Sequence, residues 1–78
     1  MDALDGNAIA GDLFAAFGRE MTTAVGWCTC CGARSAVAEL RVYVSGPGAV
    51  AECPGCGTVA IVVARGSARL AAYTLAEP

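Results

Sequence analysis

With 78 residues, a formal charge of −2 and a pI of about 4.7, the chain is short, acidic and of single-domain length. It has no lysine and no histidine, and its five arginines are scattered. That balance argues against nucleic-acid binding, which depends on phosphate contacts, and leaves no histidine for general-base catalysis. The hydrophobic fraction of 56% overstates the core, because seventeen of those residues are alanine and five are cysteine. A chain this small usually needs disulfides or a metal to supplement its core.

In chain order, residues 1–21 read as an N-terminal helix with a lead-in. Asp5 or Asn7 suits the N-cap, and Ile9, Ala10, Leu13, Phe14, Phe17 and Met21 form one apolar stripe at helical spacing. Gly18 suits the stop, and Gly11 weakens the helix by about 1 kcal/mol relative to alanine, so the helix should form only when docked. Thr22 to Val25 reads as an extended entry to a first cysteine pair, with Trp27 directly before it.

Ala36 to Val44 then reads as a strand, with Ala38, Leu40, Val42 and Val44 on one face and Glu39, Arg41 and Tyr43 on the other. Ser45-Gly46-Pro47-Gly48 is a turn, and Ala49 to Glu52 a second strand. Val59 to Arg65 is a third, β-branched strand. Gly66-Ser67 turns the chain, Ala68 to Leu75 returns as a fourth strand, and Ala76-Glu77-Pro78 is a loose end. Trp27, Tyr43 and Tyr73 are expected to cover a small sheet as core, with an exposed aromatic face as the other reading.

The chemistry lies in two Cys-x-x-Cys-Gly knuckles, Cys28-Thr29-Cys30-Cys31-Gly32 and Cys53-Pro54-Gly55-Cys56-Gly57, with 21 residues between the pairs. Cys28, Cys31, Cys53 and Cys56 make a tetrahedral thiolate set for one metal ion, most often zinc. The glycine after each second cysteine supplies positive φ, and a hairpin turning at Gly46-Pro47-Gly48 brings the knuckles together. Cys30 is the odd thiol. The x-x spacing favours Cys28 with Cys31 as ligands, and Cys30 reads as a small residue filling the turn, with a reactive or regulatory thiol beside the metal, or ligation in place of Cys31 or Cys28, as the other readings.

Four cysteine ligands leave no open position for water or substrate, so the site reads as structural and the chain as a non-enzyme. The acidic start, Met1 to Asp5, lacks a secretory pattern, and the longest apolar run, Val59 to Ala64, is far short of a membrane span. Five cysteines without a secretory pattern argue against a disulfide scaffold and point to a reducing cytoplasm, where paired cysteines bind metal more often than they form bridges, with no membrane association.

With Leu4-Asp5-Gly6-Asn7-Ala8, Met21-Thr22-Thr23-Ala24, the paired knuckles and Val37-Ala38-Glu39-Leu40 in view, the whole chain resembles a family of short bacterial proteins of unknown function. Those look like zinc ribbons behind an N-terminal helix. The resemblance implies the fold and the ligands Cys28, Cys31, Cys53 and Cys56. It also implies genes near those of flavin and molybdenum oxidoreductases, and from that an accessory role. The second knuckle is similar to that of rubredoxins, which hold iron in four thiolates and carry electrons. Here, however, Ala33 replaces their tyrosine, Gly46 to Glu52 replaces their acidic aromatic stretch, and the knuckles are closer together.

The expectation is a small α+β domain spanning 1–78: a helix over 1–21 packed on a three- to four-stranded antiparallel zinc-ribbon sheet over 22–75. It carries one structural Zn²⁺ and works through a protein partner, an oxidoreductase among the candidates, with a homodimer through an edge strand as a further expectation. An iron-loaded electron carrier is the alternative, and a nucleic-acid-binding ribbon is the reading that the acidic charge disfavours.

Overall fold

The computed structural model describes residues 4–46, 48–64 and 67–76. The chain opens with a two-residue strand, β1 (Leu4–Asp5), where the sequence predicts helix lead-in. A 3₁₀ turn over Gly6–Ile9 follows, and the Asp5 carboxylate caps it by accepting the Asn7 N–H at 3.0 Å. Helix α1 (Ala10–Phe17) is only eight residues long and ends at Gly18, whose φ of 74° and N–H bond to the Phe14 carbonyl make a left-handed stop.

The helix is thus shorter than the 1–21 span the stripe predicts. Ile9, Leu13 and Met21 are buried, but Phe14 and Phe17 are 56% and 38% exposed. Two turns of helix present too narrow a face to bury them, and Met21 reaches the core from the following loop. Thr22 is buried there, its N–H and hydroxyl both bonded to the Glu20 carboxylate, an interaction that lowers the carboxyl's pKa.

Seven strands follow: β2 (Val25–Cys28), β3 (Arg34–Ala36), β4 (Arg41–Ser45), β5 (Gly48–Glu52), β6 (Val59–Ala64), β7 (Ser67–Leu70) and β8 (Tyr73–Leu75). In place of the single sheet the sequence predicts, these seven and β1 form two. One is five-stranded in the order β1-β4-β5-β6-β7; the other is three-stranded in the order β3-β2-β8. All pairings among the described strands are antiparallel.

Two breaks create the second sheet. The strand expected over Ala36 to Val44 is interrupted by a 3₁₀ turn at Val37–Glu39. There the N–H groups of Val37 and Ala38 bond to the carbonyls of Ala24 and Thr22, and Glu39 accepts the Ala36 N–H at 2.7 Å. These partners pull the chain out of one sheet before it enters the other. The strand expected over Ala68 to Leu75 likewise splits at Ala71-Ala72. Their N–H groups bond to the Ala60 and Val59 carbonyls of β6, while the Ala72 carbonyl accepts the N–H of Thr29 beside the first knuckle. This short strap holds the two sheets to each other.

In the larger sheet, the register Val42↔Ala51↔Ile61↔Leu70 lines one face. Val42, Ala51 and Ile61 are buried with Ile9, Leu13, Val37, Leu40 and Val63 as the core, and α1 packs beside β7. A bulge opposite Ala51/Glu52 turns both Ala60 and Ile61 inward. Val44, predicted on this face, is 48% exposed because it lies beside the turn, at the far tip of the hairpin from Arg41 and Glu52. Ser45 pairs with Gly48 across that turn and Gly46 takes a φ of 60°. Pro47 lies outside the described residues, as do Arg65 and Gly66 of the next turn and the terminal Glu77 and Pro78. Ala76, expected to be loose, donates to the Val25 carbonyl at 2.8 Å.

Of the three aromatics, Tyr73 is buried as core, while Trp27 and Tyr43 are half-buried. Tyr73 crosses β2 at Gly26, where a Cβ would lie 2.7 Å from its ring, and donates its hydroxyl to the Ser35 carbonyl of β3 at 2.7 Å. Burial pushes the phenol's pKa up.

Two glycines separate packing from propensity. A Cβ on Gly6 would sit 1.9 Å from the Val37 carbonyl oxygen, whereas one on Gly11 meets nothing within 4 Å. Gly6→Ala is therefore expected to destabilise by about 1–3 kcal/mol or more. Gly11→Ala is expected to stabilise by up to about 1 kcal/mol. Denaturant unfolding of the two variants checks the opposite signs.

Candidate metal centre

Each cysteine pair forms the tip of a hairpin. The first tip joins β2 to β3 and the second joins β5 to β6, so the two tips belong to different sheets. They are built alike. Cys28 N–H bonds to the Ala33 carbonyl and Gly32 N–H to the Cys28 carbonyl; in the second, Cys53 N–H bonds to Thr58 and Gly57 N–H to Cys53, all at 2.8–2.9 Å. Gly32 and Gly57 both have φ of 79°, the left-handed conformation their place in the motif predicts. In the second knuckle the Gly55 N–H also donates to Cys53 Sγ at 3.3 Å, as a knuckle's first sulfur is expected to accept.

The result is a cluster of Cys28, Cys31, Cys53 and Cys56, all four sulfurs lying within 4.8 Å of one another. The first cysteine of each knuckle is buried (Cys28 2% exposed, Cys53 3%), and the second, Cys31 or Cys56, is exposed. Across the cluster each buried sulfur meets the exposed one of the other knuckle, Cys28–Cys56 at 3.6 Å and Cys31–Cys53 at 3.7 Å. These separations are far beyond the roughly 2.05 Å of a disulfide. They match the spacing of about 3.8 Å between sulfurs that each sit about 2.3 Å from one tetrahedral ion. The donor set and its spacing fit a metal ion. Cys30 is exposed and lies outside the cluster, as the x-x spacing requires.

The protons of the cluster also point to a cation. At Cys31 the Ala33 N–H lowers the pKa, but the Cys53 sulfur, desolvation and the sulfurs of Cys56 and Cys28 outweigh it and push it up to about 12. At Cys56 the Thr58 hydroxyl and then the Thr58 N–H bring the thiol down to about 6. Four sulfurs this close thus admit a thiolate at Cys56 while resisting a second at Cys31. A divalent cation removes that conflict.

Thr58 is the functional residue the sequence reading misses. Its Oγ1 lies 3.1 Å from Cys56 Sγ, close enough to donate to the thiolate. The available signal was the position itself. The residue after each knuckle glycine faces the second cysteine, and it is Thr58 in one knuckle and Ala33 in the other.

No curated protein and no solved structure matches the chain. Residues 1–75 match a family described as "Family of unknown function (DUF6510)". That match takes in the helix, both knuckles and all eight strands described above, and the chain belongs to this family.

Proposed function

We propose that Cys28, Cys31, Cys53 and Cys56 hold one zinc ion as a structural staple, and that the chain is a non-catalytic zinc-ribbon module acting through a protein partner. The observation that carries this reading is the four-sulfur cluster at the meeting of two hairpin tips from two sheets. An ion there ties together the parts of a fold whose core contains several alanines. Structural zinc contributes on the order of 10–16 kcal/mol of apparent binding free energy, against roughly 3–5 kcal/mol from a core of this size. With four protein ligands the ion has no position for substrate. The acidic charge favours a protein partner, an oxidoreductase or a second copy at an outer strand, over nucleic acid. Reduced cysteines suit the cytoplasm. Among the described residues no helix is long and apolar enough to cross a membrane.

Iron is the second reading, favoured by the exposure of Cys31 and Cys56, which brings ligand sulfur to the surface where electrons could pass. Elemental analysis and a visible spectrum of protein purified without metal supplements decide between them. One zinc per chain and a colourless protein are expected. One iron per chain, with thiolate bands that bleach on reduction, would replace zinc by an electron carrier.

Cys28→Ser and Cys56→Ser are expected to lose the ion and the cooperative melt; an unchanged melting curve would refute the staple. Cys30→Ser is expected to keep one equivalent, and its loss would move the ligand assignment. Because thiols above the ambient pH must release protons to bind metal, acid opposes binding. Metal affinity is therefore expected to fall by about tenfold or more per pH unit from pH 8 toward pH 5, read by competition with a chromophoric chelator.

A further inference from the structure

The two exposed sulfurs hold equivalent places in the two knuckles, yet their surroundings differ. Cys31 and Cys56 are each followed by a glycine at φ 79° and then by one further residue that ends the knuckle. In the second knuckle that residue is Thr58, which adds its hydroxyl at 3.1 Å. In the first it is Ala33, which has none. Once the sulfurs are ionised to hold the ion, Cys56 thus has a hydroxyl donor that Cys31 lacks. A hydrogen bond to a metal-held thiolate draws electron density from the sulfur and makes it a weaker nucleophile. Cys28 and Cys53 are out of reach, at 2% and 3% exposure.

We propose that Cys31 is a modification site, the ligand at which the cage opens, taking soft carbon electrophiles ahead of Cys56 and releasing the ion. This rests on the reading of one ion held by four thiolates. In the step, the Cys31 sulfur lone pair forms a bond to the electrophilic carbon as the leaving group departs with its electron pair. With iodoacetamide the C–I bond breaks and iodide leaves; nothing is oxidised or reduced. The product is a neutral thioether. The three thiolates that remain hold the ion more weakly, and it dissociates. Thr58 is the positioning residue that turns attack away from Cys56.

The test uses the zinc-loaded Cys30→Ser protein, so that the free thiol does not compete. Its metal content is measured first. It is then treated with substoichiometric iodoacetamide, with tandem mass spectrometry to locate the modification and a chromophoric chelator to follow zinc. Cys31 is expected to react about two- to tenfold faster than Cys56, the factor one hydrogen bond supplies, with zinc released at the rate of Cys31 modification. Thr58→Val is expected to bring Cys56 up to the Cys31 rate, and Ala33→Thr to slow Cys31 toward that of Cys56. Cys56 reacting as fast or first, zinc retained after Cys31 is modified, or rates indifferent to both substitutions would overturn the proposal. Starting protein with no bound metal would overturn the four-thiolate reading as well, whereas one ion with the order reversed overturns only the assignment of Cys31.

Discussion

Four sulfurs crowded within one small volume set the terms for the rest of this structure. Left to themselves they repel as soon as more than one is ionised, and the contrast between Cys31 and Cys56 records that conflict. The fold nevertheless brings them together by seating each pair on a hairpin tip. The tips close on themselves through backbone bonds and a left-handed glycine. The two hairpins belong to different sheets, so whatever sits among the sulfurs also decides how those sheets meet. Away from the cluster, the Ala71-Ala72 strap and the 3₁₀ turn at Val37–Glu39 perform the same task with backbone hydrogen bonds. The architecture is a pair of thin layers joined at several points, and among the described residues the sulfurs are the one joint that could hold an ion.

The parts of the fold legible from sequence are those specified by local chemistry. The knuckles announce themselves through spacing and trailing glycines. Strands β4, β5 and β6 follow from alternation or β-branching, and Gly46 and Gly48 mark the hairpin between β4 and β5. What escaped was set at a distance. Leu4–Asp5 is too short to show a period, and becomes a strand only because Arg41 and Val42 offer an edge. Val37 to Glu39 continues an apolar alternation that reads as strand, yet the carbonyls of Thr22 and Ala24 capture its N–H groups. Nothing punctuates Ala71-Ala72, so the change of sheet there has no local signal. The helix stripe misled in the opposite sense, since six apolar residues at helical spacing suggested a longer buried helix than Gly18 permits.

The candidate site divides the same way. Its four cysteines could be assigned from spacing alone, and so could the exclusion of Cys30. The asymmetry of the site could not, because the place of Thr58 after the knuckle glycine gains its meaning only once its hydroxyl is seen beside a sulfur. The same holds for Gly26, which the sequence reading passes over. Its lack of a side chain is explained by Tyr73, whose ring passes over it to reach Ser35. Gly26 takes its meaning from a neighbour on another strand, Thr58 from a sulfur two residues back in its own knuckle.

The chain's single tryptophan stands immediately before the first ligand, half-buried in β2, where it pairs with Thr74 of β8. It lies on the element that must be in place for Cys28 to reach the cluster and for the C-terminal strand to dock. Its environment therefore changes with assembly of the smaller sheet, while the larger sheet, which has no tryptophan, is silent at the same wavelength. The molecule thus carries an intrinsic optical probe confined to one of its two layers. Comparing indole emission with far-ultraviolet circular dichroism, which sums over the whole backbone, would distinguish two layers that come apart together from two that separate in sequence.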